Sequence, residues 1–191
     1  MGMVIETKRL KIIVLTQEQL EMLVDNIPEF EKRLNCSYQG EKIEGIFKNI
    51  LYEQSLKIEA NSDVYLWLTF WLIVKKDDNI AVGMIDFKNI PNENREVEIG
   101  YGLGKKHEHF GYMTEAVEAF CTWGKKQASV KHIIAETEID NFSSQRVLQR
   151  NGFIEYFRDK TIWCIWHIST AGFAEQNGRN AKLNGRITFD Y

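Results

Sequence analysis

Hydrophobic and polar residues follow two periods along this chain, and each period predicts a different kind of element. Alternation at every second position, or a short unbroken apolar run, is typical of a strand, whereas spacings of three and four residues are typical of a helix. The pattern predicts strands over residues 9–15, 64–75, 80–89, 96–103, 133–139 and 161–168.

Helical spacing occurs in four segments, over residues 16–27, 41–60, 112–124 and 141–150. The first begins at Thr16, which forms a capping-box pattern with Gln19, and Pro28 is predicted to close it. Residues 30–40 are predicted to be irregular. The order of elements (β, α, α, β, β, β, α, β, α, β) indicates a mixed α/β fold with a central sheet and flanking helices.

Composition narrows the class of protein. A chain of 191 residues with 44% hydrophobic and 27% charged residues is typical of one globular domain. A net charge of −3 provides no basic field, so we expect neither nucleic acid nor a membrane as a partner. The three cysteines are scattered and are predicted to be buried, reduced thiols. No signal peptide or apolar run of ~20 residues occurs, so we expect a cytoplasmic protein.

The last 23 residues differ from the rest of the chain. Residues 169–191 contain three glycines and three asparagines and show little periodicity. We therefore expect one domain over residues 1–168, followed by a tail. The tail is predicted to be disordered or appended, with an arm that docks on a second subunit as the alternative.

Most of the features that indicate ligand binding lie in residues 97–120. Here a predicted strand is followed by a charged loop, Gly111 and an amphipathic helix. A glycine at this junction lets backbone N–H groups approach a ligand closely. The first turn of a helix has unpaired donors and a partial positive charge, which favour phosphate. Lys105, Lys106 and His107 add positive or protonatable groups beside the turn.

Two segments carry a resemblance to a known family. Glu98-Ile-Gly-Tyr101, followed by the loop and Gly111-Tyr-Met-Thr-Glu-Ala116, resembles the acetyl-CoA-binding motif of the GNAT superfamily of N-acetyltransferases. The segment from Asn141 to Phe153 resembles that family's following motif. The resemblance covers residues 3–168 and is strongest to the branch of ribosomal-protein N-terminal and spermidine acetyltransferases. It implies a GNAT fold, acetyl-CoA as co-substrate, an amine acceptor and a homodimer.

The resemblance also assigns cofactor-binding residues. The pantetheine arm is expected along one strand, and the pyrophosphate on the backbone of the loop and of the helix start. An asparagine is expected to donate a further hydrogen bond to the cofactor; the alternative is that it only caps its helix. These residues are Tyr101, Gly102 and Leu103 for the arm, His109, Phe110, Gly111, Tyr112, Met113 and Thr114 for the pyrophosphate, Asn141 for the hydrogen bond, and Ser144 beside it.

The loop departs from the family pattern at two positions. Relatives usually carry Arg or Gln where this chain has Glu108, and glycine where it has His109. A carboxylate repels the pyrophosphate, and His109 must reach a backbone conformation that glycine adopts more easily. The alternative hypothesis is therefore a non-catalytic acyl-CoA-binding module with an altered pyrophosphate loop.

Acetyl transfer to an amine requires a base for the acceptor nitrogen and, for the leaving thiolate, a proton; it requires no covalent intermediate. Glu98 is the candidate base, acting through a water, unless it is solvated or pairs with a lysine. Ser144 is the candidate acid by resemblance, with a second capping role as the alternative. A tyrosine that many relatives use for this step is replaced by Leu148.

Other candidates follow from the same patterns. Glu96 shares a strand face with Glu98, and Glu138 and Asp140 end the adjacent strand. An aromatic set is predicted to lie mostly in the core, with some members lining the acceptor cleft. Its members are Tyr65, Trp67, Phe70, Trp71, Trp163 and Trp166. The sequence therefore predicts an acetyl-CoA-dependent N-acetyltransferase acting by direct attack of a primary amine, either a protein N-terminus or a small amine.

Overall fold

The computed structural model describes residues 2–158 and 163–169, which contain nine strands and six α-helices. The strands are β1 Val4–Glu6, β2 Leu10–Val14, β3 Ser37–Tyr38, β4 Phe70–Lys75, β5 Ile80–Phe87, β6 Glu96–Leu103, β7 His132–Glu138, β8 Ile154–Arg158 and β9 Trp163–Ser169. The helices are α1 Gln17–Asp25, α2 Ile27–Leu34, α3 Gly45–Ala60, α4 Tyr65–Leu68, α5 Tyr112–Lys125 and α6 Phe142–Arg150. None of the helices in this part of the chain is long and apolar enough to cross a membrane.

The strands form one mixed sheet in the order β1-β2-β4-β5-β6-β7-β9-β8, with the short β3 paired to the start of β5. Neighbours along this path are antiparallel except β6 and β7, which run parallel. The predicted mixed sheet with flanking helices is confirmed.

The sheet opens between β6 and β7. Their ladder has only three residue pairs, from Glu96 opposite His132 to Glu98 opposite Ile134. Beyond that point β6 remains paired with β5 as far as Leu103, while β7 continues on β9. Residues 99–103 of β6 therefore have a strand on one side only, so backbone groups on the other side are free to pair with a ligand.

Two cores lie on opposite faces of the sheet. Helices α5 and α6 pack on one face, where the rings of Phe87 and Phe120 stack with centroids 4.5 Å apart. Helices α1 to α3 cover the other face through buried residues such as Leu20 and Leu51. Because β4 and β5 contribute to both cores, they are apolar at nearly every position rather than alternating.

The role predicted for Pro28 is wrong. Helix α1 ends at Asp25, and Pro28 lies in the first turn of α2, where Asn26 caps the helix by accepting a hydrogen bond from the Glu29 N–H at 3.2 Å. A first-turn residue needs no N–H donor, so proline is compatible with a helix start. Residues 30–40 are accordingly not irregular but contain most of α2 and all of β3.

The strand predicted from residue 64 begins only at Phe70. Residues 62–64 form a 3-10 turn that leads into α4, and the extended Thr69 separates this helix from β4. Tertiary hydrogen bonds hold the segment: Trp71 Nε1 donates to the Leu66 carbonyl at 3.2 Å, and Gln54 donates to that of Leu68. Aromatic residues with strand propensity are therefore helical here because their partners are distant in sequence.

Other observed helix and strand boundaries also differ from the predicted ones. The helix predicted from residue 41 begins at Gly45, and β1 and β8 were not predicted. β1 has only three residues, and β8 is mostly exposed, so neither shows a clear apolar period. Residues 161 and 162 of the predicted last strand, and the tail after Ser169, lie outside the described residues. The cysteines are free, with Cys121 and Cys164 buried and Cys36 half-buried.

The contact between α5 and the sheet allows a packing test. A Cβ at Gly124 would lie 2.8 Å from Cζ of Phe87, whose ring is held in the stack. Gly124→Ala gains up to about 1 kcal/mol of helix propensity, but overpacking costs about 1–3 kcal/mol. We expect a lower urea midpoint for this variant. Glu118→Ala, at an exposed position of the same helix, is the control, and a midpoint raised equally in both variants would contradict the packing.

Candidate active site

The opening between β6 and β7 leads into a cleft of about 310 Å³ at the N-terminal ends of α5 and α6. Most of the residues predicted to bind a cofactor line this cleft, although they come from three separate segments of the chain. They are Tyr101, Gly102, Leu103, His109, Gly111, Tyr112, Met113, Thr114, Asn141 and Ser144. Phe110 and Glu98 do not line it.

The loop before α5 has an unusual backbone. Both His109 and Gly111 adopt left-handed conformations, with φ of 67° and 78°. Glycine tolerates this conformation, whereas a residue with a Cβ bears a cost of roughly 1–2 kcal/mol. His109 thus adopts the glycine-like backbone conformation that the sequence analysis expected of it, and its side chain is 85% exposed.

The start of α5 offers free donors to the cleft. Gly111 is the N-cap residue and provides no side-chain acceptor, and the first helical hydrogen bond is from the Glu115 N–H to the Gly111 carbonyl at 3.1 Å. The N–H groups of Tyr112, Met113 and Thr114 therefore have no acceptor within the helix. Three such donors at the positive end of a helix dipole form an anion site.

Arg9 holds the loop in this shape. Its Nη1 donates to the Phe110 carbonyl at 2.9 Å, its Nε donates to Glu115 Oε2 at 2.6 Å, and its guanidinium lies 4.7 Å from the centroid of the Tyr112 ring. Burial would raise the pKa of Glu115, but hydrogen bonds from Thr7 and Arg9 outweigh it and lower the pKa. Phe110 thus contributes a carbonyl to the loop, while its ring is exposed and stacks on Tyr112.

Positive charge reaches the cleft from two arginines of α6 that the sequence analysis did not identify as a source of charge. Arg146 and Arg150 line the cleft from one face of α6, together with the predicted Asn141 and Ser144. Lys105 and Lys106 lie in a 3-10 turn away from the lining. The i, i+4 spacing of the two arginines was the available signal.

His107 does not supply a charge to the cleft either. Its Nε2 lies 3.2 Å from Gln39 Oε1, and burial together with Lys75 lowers its pKa. Glu108, by contrast, lines the cleft, and its carboxylate has only a loose contact of 3.9 Å with His109 Nε2. The predicted repulsive carboxylate is therefore in place.

Two hydroxyl groups meet at the floor of the cleft. Tyr101 Oη and Ser144 Oγ are 2.8 Å apart, so either can donate to the other. Burial raises the pKa of Tyr101, although the hydrogen bond with Ser144 opposes it. Asn141 Oδ1 accepts a hydrogen bond from the Ser144 N–H at 3.0 Å, so it caps α6. The phenol of Tyr101 is a candidate proton carrier that sequence reasoning had treated only as strand backbone.

Glu98 forms an ion pair with a lysine, which the sequence analysis gave as an alternative to its role as the base. Its side chain is 14% exposed, and Oε1 lies 2.5 Å from Lys88 Nζ, in a close ion pair without an aligned hydrogen bond. The other predicted carboxylates, Glu96, Glu138 and Asp140, line neither this cleft nor the cavity next to it.

A second cavity, of about 340 Å³, lies across β6 from the cleft and beneath α3. The two share Tyr101, Gly102 and Glu41 in their walls, so they meet at the strand where the sheet opens. Of the aromatic set, Phe70 lines this cavity, whereas Trp71 and Trp166 are buried in the core.

Asp86 is the buried carboxyl group of the second cavity and is a residue that sequence reasoning missed. It is 9% exposed and accepts no hydrogen bond from any described residue. Its pKa is raised to about 7, mainly by burial, with Lys88 opposing the rise and Glu98 adding to it. The available signal was a single acidic residue inside an otherwise apolar strand, β5.

Comparisons of the sequence with known proteins identify a family for most of this chain. Residues 9–154 match the family model for the acetyltransferase (GNAT) domain. The uncharacterized N-acetyltransferase YjdG of Bacillus subtilis is 31% identical over 151 residues, which cover 78% of this chain and 89% of that protein. The ribosomal-protein-serine acetyltransferase of Escherichia coli is 31% identical over 84 residues, covering 44% of this chain and 46% of the relative.

Solved structures show the same fold at lower identity. The RimL ribosomal-protein acetyltransferase in complex with coenzyme A has a TM-score of 0.63 at 16% identity, covering 87% of this chain and 98% of that one. The microcin self-immunity acetyltransferase MccE, in complex with acetyl-CoA and AMP, has a TM-score of 0.60 at 16% identity, covering 85% and 93%. The fold predicted by resemblance is confirmed, and the chain belongs to the GNAT family of acetyltransferases.

Proposed function

We propose that this protein transfers an acetyl group from acetyl-CoA to a primary amine, either a protein N-terminus or a small amine, by direct attack of the amine on the thioester. The proposal is supported by one observation: two sets of free backbone groups lie in the same cleft. These are the unpaired edge of β6 over residues 99–103 and the uncapped first turn of α5. Together they suit an extended amide-containing arm joined to a pyrophosphate.

The residues of the cleft divide between the two parts of acetyl-CoA. The pantetheine arm would pair with the backbone of Tyr101, Gly102 and Leu103, where β6 has no neighbour. The pyrophosphate would bind the backbone N–H groups of residues 109–114, with Arg146 and Arg150 close by. Two of the solved relatives were crystallised with coenzyme A or acetyl-CoA, which supports this use of the cleft.

The chemistry needs a proton for the departing thiolate. The amine nitrogen forms a bond to the carbonyl carbon and loses a proton, and the C–S bond breaks. The sulfur takes a proton from the hydroxyl pair of Ser144 and Tyr101, and the proton lost by the nitrogen replaces it. A raised tyrosine pKa keeps the phenol protonated and available as a donor.

A non-catalytic acyl-CoA-binding module is the second candidate. The left-handed His109 and the carboxylate of Glu108 favour it, because both make the pyrophosphate loop a poorer anion site. A module of this kind binds acetyl-CoA but releases no coenzyme A with any amine.

The cofactor site is tested by calorimetry with acetyl-CoA on Gly111→Trp. We expect micromolar binding by the wild type and none by this variant, because the indole would fill the space before α5. The matched control is Gly152→Trp, since Gly152 has the same φ of 78° but lies outside the cleft. Equal loss of binding in both variants would indicate a folding defect, and no binding by the wild type would contradict the proposal.

The charge at Glu108 gives a second test. Glu108→Gln removes the carboxylate that faces the pyrophosphate, so we expect the Kd for acetyl-CoA to fall by about 2- to 5-fold at low salt. The gain should shrink at 0.5 M salt because of screening. Glu93→Gln makes the same charge change at an exposed position away from the cleft. A Kd that improves equally in the control would show only a net-charge effect.

A further inference from the structure

We propose that the second cavity holds a small alkyl amine as the acceptor and that Asp86 takes the proton that its ammonium group must lose. The inference rests on the proposed acetyl transfer and identifies the acceptor class and the base for it. Neither Asp86 nor this cavity figured in the sequence-based assignment, which placed the base at Glu98.

Asp86 is placed where the two halves of the reaction meet. It pairs with Gly100 across the β5–β6 ladder, and Tyr101 and Gly102, the next residues of β6, belong to the walls of both cavities. A Cβ at position 100 would lie 2.7 Å from Asp86 Oδ1, so the carboxylate occupies space that only glycine leaves open. A group at this point reaches an amine entering from beneath α3.

The carboxylate of Asp86 has no hydrogen-bond partner among the described residues, and Lys88 is the cation that acts on it. Asp86 is 9% exposed and lines the cavity. A buried charge without a partner is unfavourable. An ammonium ion in the cavity would supply both a counter-charge and hydrogen-bond donors.

Glu98 is less suited to the same role. Lys88 Nζ lies 2.5 Å from its Oε1, and that oxygen contacts no other hydrogen-bonding group in the described part of the chain. A carboxylate neutralised by a lysine has a weaker tendency to take a proton from a substrate. Glu98 instead acts on Asp86, since its negative charge raises the pKa of that group.

The remaining lining indicates the kind of amine. Apolar side chains of Phe47, Phe70 and Met84 form part of the wall, which suits a short alkyl chain. Three further carboxylates line the cavity, from Glu41, Glu53 and Glu136, against the ammonium groups of Lys57 and Lys88. With Lys88 paired to Glu98, the negative charge is in excess. A chain with a second ammonium group fits this lining better than one with a single charge.

The proton balance of the step is simple. The substrate ammonium gives one proton to the Asp86 carboxylate, and the freed lone pair forms the C–N bond to the acetyl carbon. The C–S bond breaks, the thiolate takes a proton from the Ser144–Tyr101 pair, and the second proton lost by the amide nitrogen returns to that pair. Asp86 then releases its proton to solvent, so the products are the acetamide, the coenzyme A thiol and one proton.

Several charged and titratable groups lie around Asp86, and two of them shift its pKa. Lys88, directly after β5, lowers its pKa, and Glu98 on β6 raises it. The other groups that line the cavity are Tyr101 on β6, Glu136 on β7, Glu41 before α3, and Glu53 and Lys57 on α3.

The kinetic test uses 1,4-diaminobutane and butylamine as acceptors, which differ only in the second charge. We expect the wild type to release coenzyme A with both, with kcat/KM at least about tenfold higher for the diamine. Asp86→Asn should lower kcat by about 100-fold or more, the usual contribution of a general base. Asp63→Asn, the same change at an exposed site, is the control.

The pH profile separates a base from a merely structural residue. With saturating diamine, kcat of the wild type should fall as the pH drops through about 7, where Asp86 becomes protonated. In Asp86→Asn this acidic limb of the pH profile, the fall of kcat below about pH 7, should disappear. Its kcat should instead rise steadily to high pH, as more of the amine is in the free-base form. Glu98→Gln should keep the limb but move it to lower pH, because Glu98 raises the pKa of Asp86.

Thermal unfolding provides a readout independent of activity. The folded-state pKa of about 7 exceeds the unfolded value of 3.8, so ionisation of Asp86 destabilises the fold as the pH rises between these values. We expect Asp86→Asn to melt above the wild type at pH 8, with a much smaller difference at pH 4. Asp63→Asn should show no such trend.

The outcomes distinguish the two levels of inference. Loss of acetyl-CoA binding by the wild type contradicts the proposed function itself. Normal acetyl-CoA binding with no turnover of either alkyl amine overturns the assignment of the cavity. Turnover that is retained in Asp86→Asn, or a limb that disappears in Glu98→Gln instead, overturns the role of Asp86.

Discussion

The structure depends on how short the ladder between β6 and β7 is. Three residue pairs join the two strands, and after Glu98 each strand follows a different neighbour. This early separation creates the free edge of β6 and the cleft beside it. It also brings the cavity beneath α3 into contact with the cleft at Tyr101 and Gly102. A fully paired sheet would leave neither an unpaired backbone for a cofactor nor a path between the two cavities.

The anion site at the start of α5 requires a strained backbone, and contacts from the distant connection between β1 and β2 hold this strain. Arg9 binds the Phe110 carbonyl and the Glu115 carboxylate, which lie on either side of Gly111. Since His109 bears the cost of a left-handed conformation, the loop needs such an external restraint to remain formed without a ligand. Geometry at the cleft is therefore determined as much by Arg9, directly before β2, as by the motif itself.

Much of the fold and part of the site could be predicted from local patterns. The stripe along α5 and the strand entering Gly111 are local features, and their positions were correct. Pro28 was misread because proline is compatible with both the end of a helix and the first turn of the next. Arg9 and Asp86 could not be assigned, since their importance arises from partners that the sheet register brings together. Periodicity detects faces, whereas register decides which faces meet.

The two faces of β6 explain why residues 99–103 alternate between bulky and small side chains. Val97, Ile99 and Tyr101 point towards α5, whereas Gly100 and Gly102 lie on the face towards α3. A Cβ at either glycine would meet a carboxylate, that of Asp86 or that of Glu41. The glycines thus leave room for acidic groups on one face while the other face completes the core. One strand can then present its backbone edge to a cofactor and a negatively charged floor to an amine. The cost is a buried Asp86 without a hydrogen-bond partner among the described residues, and a residue kept in that state at the expense of stability is typical of a functional group.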